Sequence, residues 1–85
     1  MIEPGARRAG GSGLIKRSFT LAGHRTSVAL EEEFWHALTA LAARRSIALS
    51  ALIAEVDAAR APGRPLASAL RVLALRETSP NLDRP

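Results

Sequence analysis

The sequence predicts a mainly α-helical chain fronted by a short β-ribbon and assembled with at least one further copy of itself. Three observations carry this. Apolar residues recur at every second position between Lys16 and Leu30, and at helical spacing from Glu31 onward. The core available to 85 residues is aliphatic and thin, with two Phe, one Trp and no Tyr. No cysteine is present to staple it, and a monomer of this size buries only about 60% of its unfolded surface. Oligomerisation is the expected remedy.

Residues 1–15 (MIEPGARRAGGSGLI) are rich in Gly and have no period, so they read as a flexible basic arm carrying Arg7 and Arg8. A domain is expected over 16–77 and a tail over 78–85. In the ribbon, Phe19 and Leu21 share one face, with Ser18 and Thr20 between them. Gly23-His24 interrupts, and Thr26, Val28 and Leu30 then alternate with Arg25, Ser27 and Ala29. Such alternation buries one face of a strand and wets the other. The clearer strand is Arg25–Leu30.

A first helix is expected over about 31–45. Glu31, Glu32 and Glu33 favour its positive end, and Phe34, Leu38 and Leu41 form a stripe widened by Trp35 and Ala42. Arg44 and Arg45 close it. Leu49, Leu52, Ile53 and Val56 mark a second helix, stopped by Ala61-Pro62-Gly63-Arg64-Pro65. A third, Leu66–Arg76, carries Leu66, Ala69, Leu70 and Leu73 and is apolar on much of its circumference, so it must pack on the body or on a neighbour.

Twelve basic against eight acidic residues give +4. Residues 1–30 hold Arg7, Arg8, Lys16, Arg17 and Arg25 against Glu3 alone, whereas residues 31–85 balance. The asymmetry points to a basic N-terminal surface facing an anionic partner. The first 13 residues have no apolar run of the signal-peptide kind, and apolar stretches fall short of the ~20 residues that span a bilayer. A soluble protein of the bacterial cytoplasm or nucleoid, with no membrane partner, is expected.

The order of these residues resembles the ribbon-helix-helix family of DNA-binding proteins. The likeness rests on Arg25-Thr-Ser-Val-Ala-Leu30, Glu31-Glu-Glu-Phe-Trp35, Leu38, Leu41-Ala42 and Ser50-Ala-Leu-Ile53. A subtype with an upstream strand is indicated by Gly23-His24-Arg25-Thr26-Ser27, by the Phe34-Trp35 pair, by Val56, Asp57 and Arg60, and by Ser68 followed by Ala69-Leu70-Arg71. The resemblance covers about residues 16–77. It implies a homodimer whose two Arg25–Leu30 strands form an intermolecular antiparallel two-stranded ribbon, plus an extra C-terminal helix, with a tetramer as the larger alternative.

It implies further that Arg25, Ser27 and Ala29 face double-stranded DNA and contact bases, an Arg fork being suited to guanine O6 and N7 and Ala29 to at most a thymine methyl. Phosphate contacts would fall to the amides of Ala48, Leu49 and Ser50 at the start of the second helix, and to Lys16 and Arg17. Val28, Leu30, Phe34, Trp35, Leu38, Leu52, Ile53 and Val56 would form the dimer core. Ala48 removes the hydroxyl that commonly caps such a helix.

Other chemistry finds little support. His24 and His36 stand twelve positions apart without cysteine or clustered carboxylates, so no metal site or other cofactor is expected. Ser18, His24 and Asp57 make a triad only on paper, with no oxyanion loop, so no enzyme and no small-molecule substrate is expected. Gly10-Gly11-Ser12-Gly13 lacks a preceding strand and a following Lys-Ser/Thr, so it is no nucleotide loop. Asp57 and Arg60 read as a helix-surface pair. The reading is a dimeric transcriptional repressor. Its alternatives are an antitoxin that binds its own promoter and a dimeric interaction module without DNA binding.

Overall fold

A computed structural model of the chain describes residues 13–78. The expected basic arm lies outside these residues but for its last three positions. The expected tail lies outside them but for Thr78.

Two strands, β1 (Leu14–Leu21) and β2 (His24–Glu31), form an antiparallel ribbon in register from Leu14 opposite Glu31 to Leu21 opposite His24. Ala22 and Gly23 join them, both with positive φ (52° and 83°). Two left-handed residues make the tight turn whose twist matches that of the flanking strands. β1 is the upstream strand expected of the subtype, and it pairs with β2 within the chain. The physical reason is proximity: a two-residue loop brings β1 alongside with little closure entropy. β2 also extends one residue beyond Arg25–Leu30 at each end, and its far edge has no partner strand among the described residues.

Helix α1 spans Glu32–Arg44, with Glu31 at its N-cap and Glu32 and Glu33 in its first turn. At its end the Ile47 amide donates to the Ala42 carbonyl (3.0 Å) and the Ser46 amide to Ala43 (3.0 Å). That bond pair, with Ser46 at φ 59°, is a Schellman stop. The chain then turns through 100° into α2 (Leu49–Ala59). Helix α3 (Leu66–Thr78) runs two residues past the expected end at Arg76.

One core joins the ribbon to all three helices. Leu30, Leu38, Leu52, Ile53 and Leu70 are its wholly buried side chains, and each buried Leu or Ile contributes about 1.5–3 kcal/mol. Phe34 and Val56, expected inside, are only half-buried and pack against the rim of this core. The Arg71 guanidinium lies over the Phe34 ring at 5.8 Å. Helix α3 has a clear role here: Leu66, Leu70 and Ala74 are buried as it packs against α1, while Val72 and Leu75 stay exposed. Ion pairs tie the helices at the surface, Arg45 to Glu55 (3.0 Å) across α1 and α2, and Arg44 to Glu77 (3.7 Å) across α1 and α3.

Candidate nucleic-acid interface

Alternation sorts the ribbon into two faces. Phe19, Leu21, Val28 and Leu30 are buried against the helices, and Thr26 beside them is half-buried. The opposite face carries Lys16, Ser18 and Thr20 from β1 beside Ala29, Ser27 and Arg25 from β2, each pair directly opposed. All are exposed except Ala29, which is half-buried. The expected base-contacting residues therefore point outward together.

Hydroxyls lace this face. The Arg25 guanidinium donates through Nη1 to Thr20 Oγ1 (3.1 Å), and the Ser18 and Ser27 hydroxyls meet at 3.1 Å. Arg25 differs in this from Arg44, Arg45, Arg60 and Arg71, each of which meets a carboxylate. A neutral partner fixes the side chain and leaves its charge uncompensated. One used donor of five also leaves the fork available.

Glu31 is the sole acidic residue of the ribbon sequence, and it is answered by Arg71 of α3, whose Nε lies 3.1 Å from Oε1. Its own backbone amide, and after that the Arg71 guanidinium, hold the Glu31 carboxyl below its ordinary pKa. The outward face consequently remains cationic at Lys16 and Arg25.

Lys16 and Arg17, grouped together as phosphate contacts from sequence, lie on opposite faces. Lys16 stands outward opposite Ala29. Arg17 opposes Val28 on the helix side and lays its guanidinium over the Trp35 ring at 5.3 Å. Strand alternation already placed Arg17 with Phe19 and Leu21. The Trp35 N–H donates to the Ile15 carbonyl at 2.8 Å, so the buried indole is satisfied and pins β1 to α1. Phe19 joins that cluster, its ring 5.9 Å from Trp35. Thr20 and Ser18 were not singled out from sequence as parts of the interface; the signal that finds them is the cross-strand register, which depends on the turn.

Ala48 occupies the N-cap of α2 without a side-chain cap bond. The Ala48 carbonyl accepts from Ala51 and Leu52, which leaves the Leu49 and Ser50 amides directed out of the helix end. Elsewhere, Asp57 and Arg60 pair at 2.9 Å, and Arg60 also donates to the Arg64 carbonyl (2.6 Å), which ties down the turn before α3. A concavity of about 270 Å³ between α2 and α3 is lined by aliphatic side chains with Arg60, Arg64 and Arg76, and none of its lining groups is a proton acceptor suited to acid–base chemistry. His36 is exposed, 3.5 Å from Glu32. No single helix among the described residues is long and apolar enough to cross a membrane.

The described residues form an antiparallel ribbon with a polar, cationic outer face, backed by helices that bury its other side. The family model for the ribbon-helix-helix domain matches residues 14–78, and the chain belongs to that family. Its members are generally DNA-binding transcription regulators or antitoxins that bind DNA as dimers, and their domains are typically non-enzymatic. Neither the curated proteins nor the solved structures gave a significant match.

Proposed function

We propose that the chain is a sequence-specific DNA-binding repressor that acts as a dimer by occupying its operator. The observation that carries this is the outward Arg25, aligned with Ser27 and Ala29 on a ribbon face whose single acid is already paired. Arg25 reads guanine through O6 and N7, Ser27 positions, and Ala29 meets a thymine methyl.

Dimerisation proceeds through the free edge of β2. The β1 edge bears Lys16 and Arg17 side by side, a cationic guard against pairing, whereas β2 presents Ser27, Val28, Ala29 and Leu30. Two-fold pairing of β2 with its copy keeps both outward faces on one side. The half-buried Phe34 and Val56 then become rim contacts of the shared core formed with Val28, Leu30, Trp35, Leu38, Leu52 and Ile53. Four strands span about 14 Å between their outer members, slightly more than the ~12 Å major groove. The central β2 pair enters the groove, and the β1 strands ride at its lips. Lys16 meets phosphate there, and the Leu49 and Ser50 amides at the Ala48 cap clamp a flanking phosphate. Arg17, stacked on Trp35, contributes to the surrounding field more than to a direct contact.

The antitoxin reading finds in α3 a folded helix with Leu66, Leu70 and Ala74 already packed inward, and only Val72 and Leu75 left exposed for a partner. A titration of duplex selected from a random pool against random duplex, at two salt concentrations, tests the proposal. Salt-dependent binding to both, with the selected duplex preferred about 10³-fold or more, supports it. Absence of salt-dependent association would leave an interaction module.

A further inference from the structure

We infer that β1 is part of the reading apparatus, with Thr20 as the positioning residue for the Arg25 guanidinium and Ser18 in the same role for Ser27. The inference rests on the DNA-binding reading and adds to it a set of residues one strand away from those expected to touch bases. The Ala22-Gly23 turn fixes the register that brings Thr20 directly opposite Arg25 and Ser18 opposite Ser27. In both pairs the side chains bond across the strands at 3.1 Å on the exposed face.

A free arginine on a strand samples many rotamers, and ordering it on binding costs entropy. The Thr20 hydroxyl accepts one N–H and holds the fork before DNA arrives. Because the acceptor is neutral, the hold takes no charge from the guanidinium and the remaining donors stay free for a guanine edge. A carboxylate at position 20 would hold Arg25 more firmly, but it would neutralise the face and repel phosphate. A threonine suits both demands, and its β-branched side chain suits the strand. Ser18 likewise orients the Ser27 hydroxyl, which otherwise rotates freely.

The test is a double-mutant cycle on the full chain, read by fluorescence anisotropy on a duplex selected by the wild-type protein and on a random duplex of equal length. Circular dichroism and thermal melting confirm that each variant is folded, and Thr20→Val keeps the β-branched shape. Thr20→Val is expected to lower the selected-to-random affinity ratio by roughly three- to tenfold. Thr20→Ser should restore it, and Thr20→Val should have no further effect in an Arg25→Ala background. The loss should fall at the one base pair read by Arg25 when each operator position is substituted in turn, which a general loosening of the ribbon would not produce. If Arg25→Ala lowers the ratio and Thr20→Val leaves it unchanged, the positioning role is overturned and the DNA-reading face stands. If Arg25→Ala weakens both duplexes equally, base reading by Arg25 fails, and the role of Thr20 fails with it.

Discussion

Two single positions hold backbone that their side chains do not favour. Ala22 sits at φ 52° in the turn and Ser46 at φ 59° in the α1 stop, where residues with a Cβ lose about 1–2 kcal/mol. Asn in the first and Gly in the second suit that region. Ala22→Asn and Ser46→Gly are each expected to stabilise the fold by about 1 kcal/mol, which for a domain of this size raises Tm by about 4–8 °C. Unchanged or lower melting temperatures would contradict the turn and stop described. Ala48 is uncapped, so Ala48→Ser is expected to add about 1 kcal/mol in the same assay. Ala22 also explains why the intrachain ribbon was hidden in the sequence. The Asn-Gly or Asp-Gly pair that announces such a turn is replaced by Ala-Gly. The outward set Arg25, Ser27 and Ala29 was legible because a period of two needs no partner to be read.

Among the elements, β1 depends most on one contact. Trp35 reaches from α1 to the Ile15 carbonyl and carries Arg17 on its ring. Trp35→Phe removes the donor and leaves that carbonyl without it, at a cost of about 1–3 kcal/mol. Amide exchange should then quicken around residues 14–17 more than at the turn. A buried indole N–H needs an acceptor, and here it is a backbone atom twenty residues away, invisible to side-chain patterning. The join between ribbon and helices has a pH signature. Glu31 has its pKa lowered in the fold by its own amide and by Arg71, so the stabilisation is complete above the ordinary glutamate value of 4.5 and is lost as pH falls through the lower folded value. Glu31→Gln should flatten the acid limb of a stability-against-pH curve while leaving its slope above pH 6 alone, roughly. An unchanged acid limb would remove Glu31 from the account. Helix α3 was recognised from its apolar circumference. Its destination was not, because Leu66 and Leu70 fit an intrachain or an interchain groove equally well by spacing.

For the whole molecule, the described residues of a single chain close one core but leave the β2 edge open and Phe34 and Val56 half-covered. The proposed pairing predicts a particle of twice the 9.0 kDa chain mass in light scattering, with a melting temperature that rises with protein concentration. Val28→Asp, which places a charge at the buried side of that edge strand, should unfold the protein or abolish assembly. Lys16→Ala should instead leave assembly intact and weaken binding to all duplexes alike, with a salt slope shallower by about 1 per site. The most direct test of the central claim, that the outer ribbon face reads bases in the major groove, is chemical interference at guanine N7. Methylating N7 on the selected duplex should block binding at one guanine in each half of an inverted repeat, and Arg25→Ala should erase that sensitivity. Binding indifferent to N7 methylation, or an interference pattern unaltered by Arg25→Ala, would contradict it.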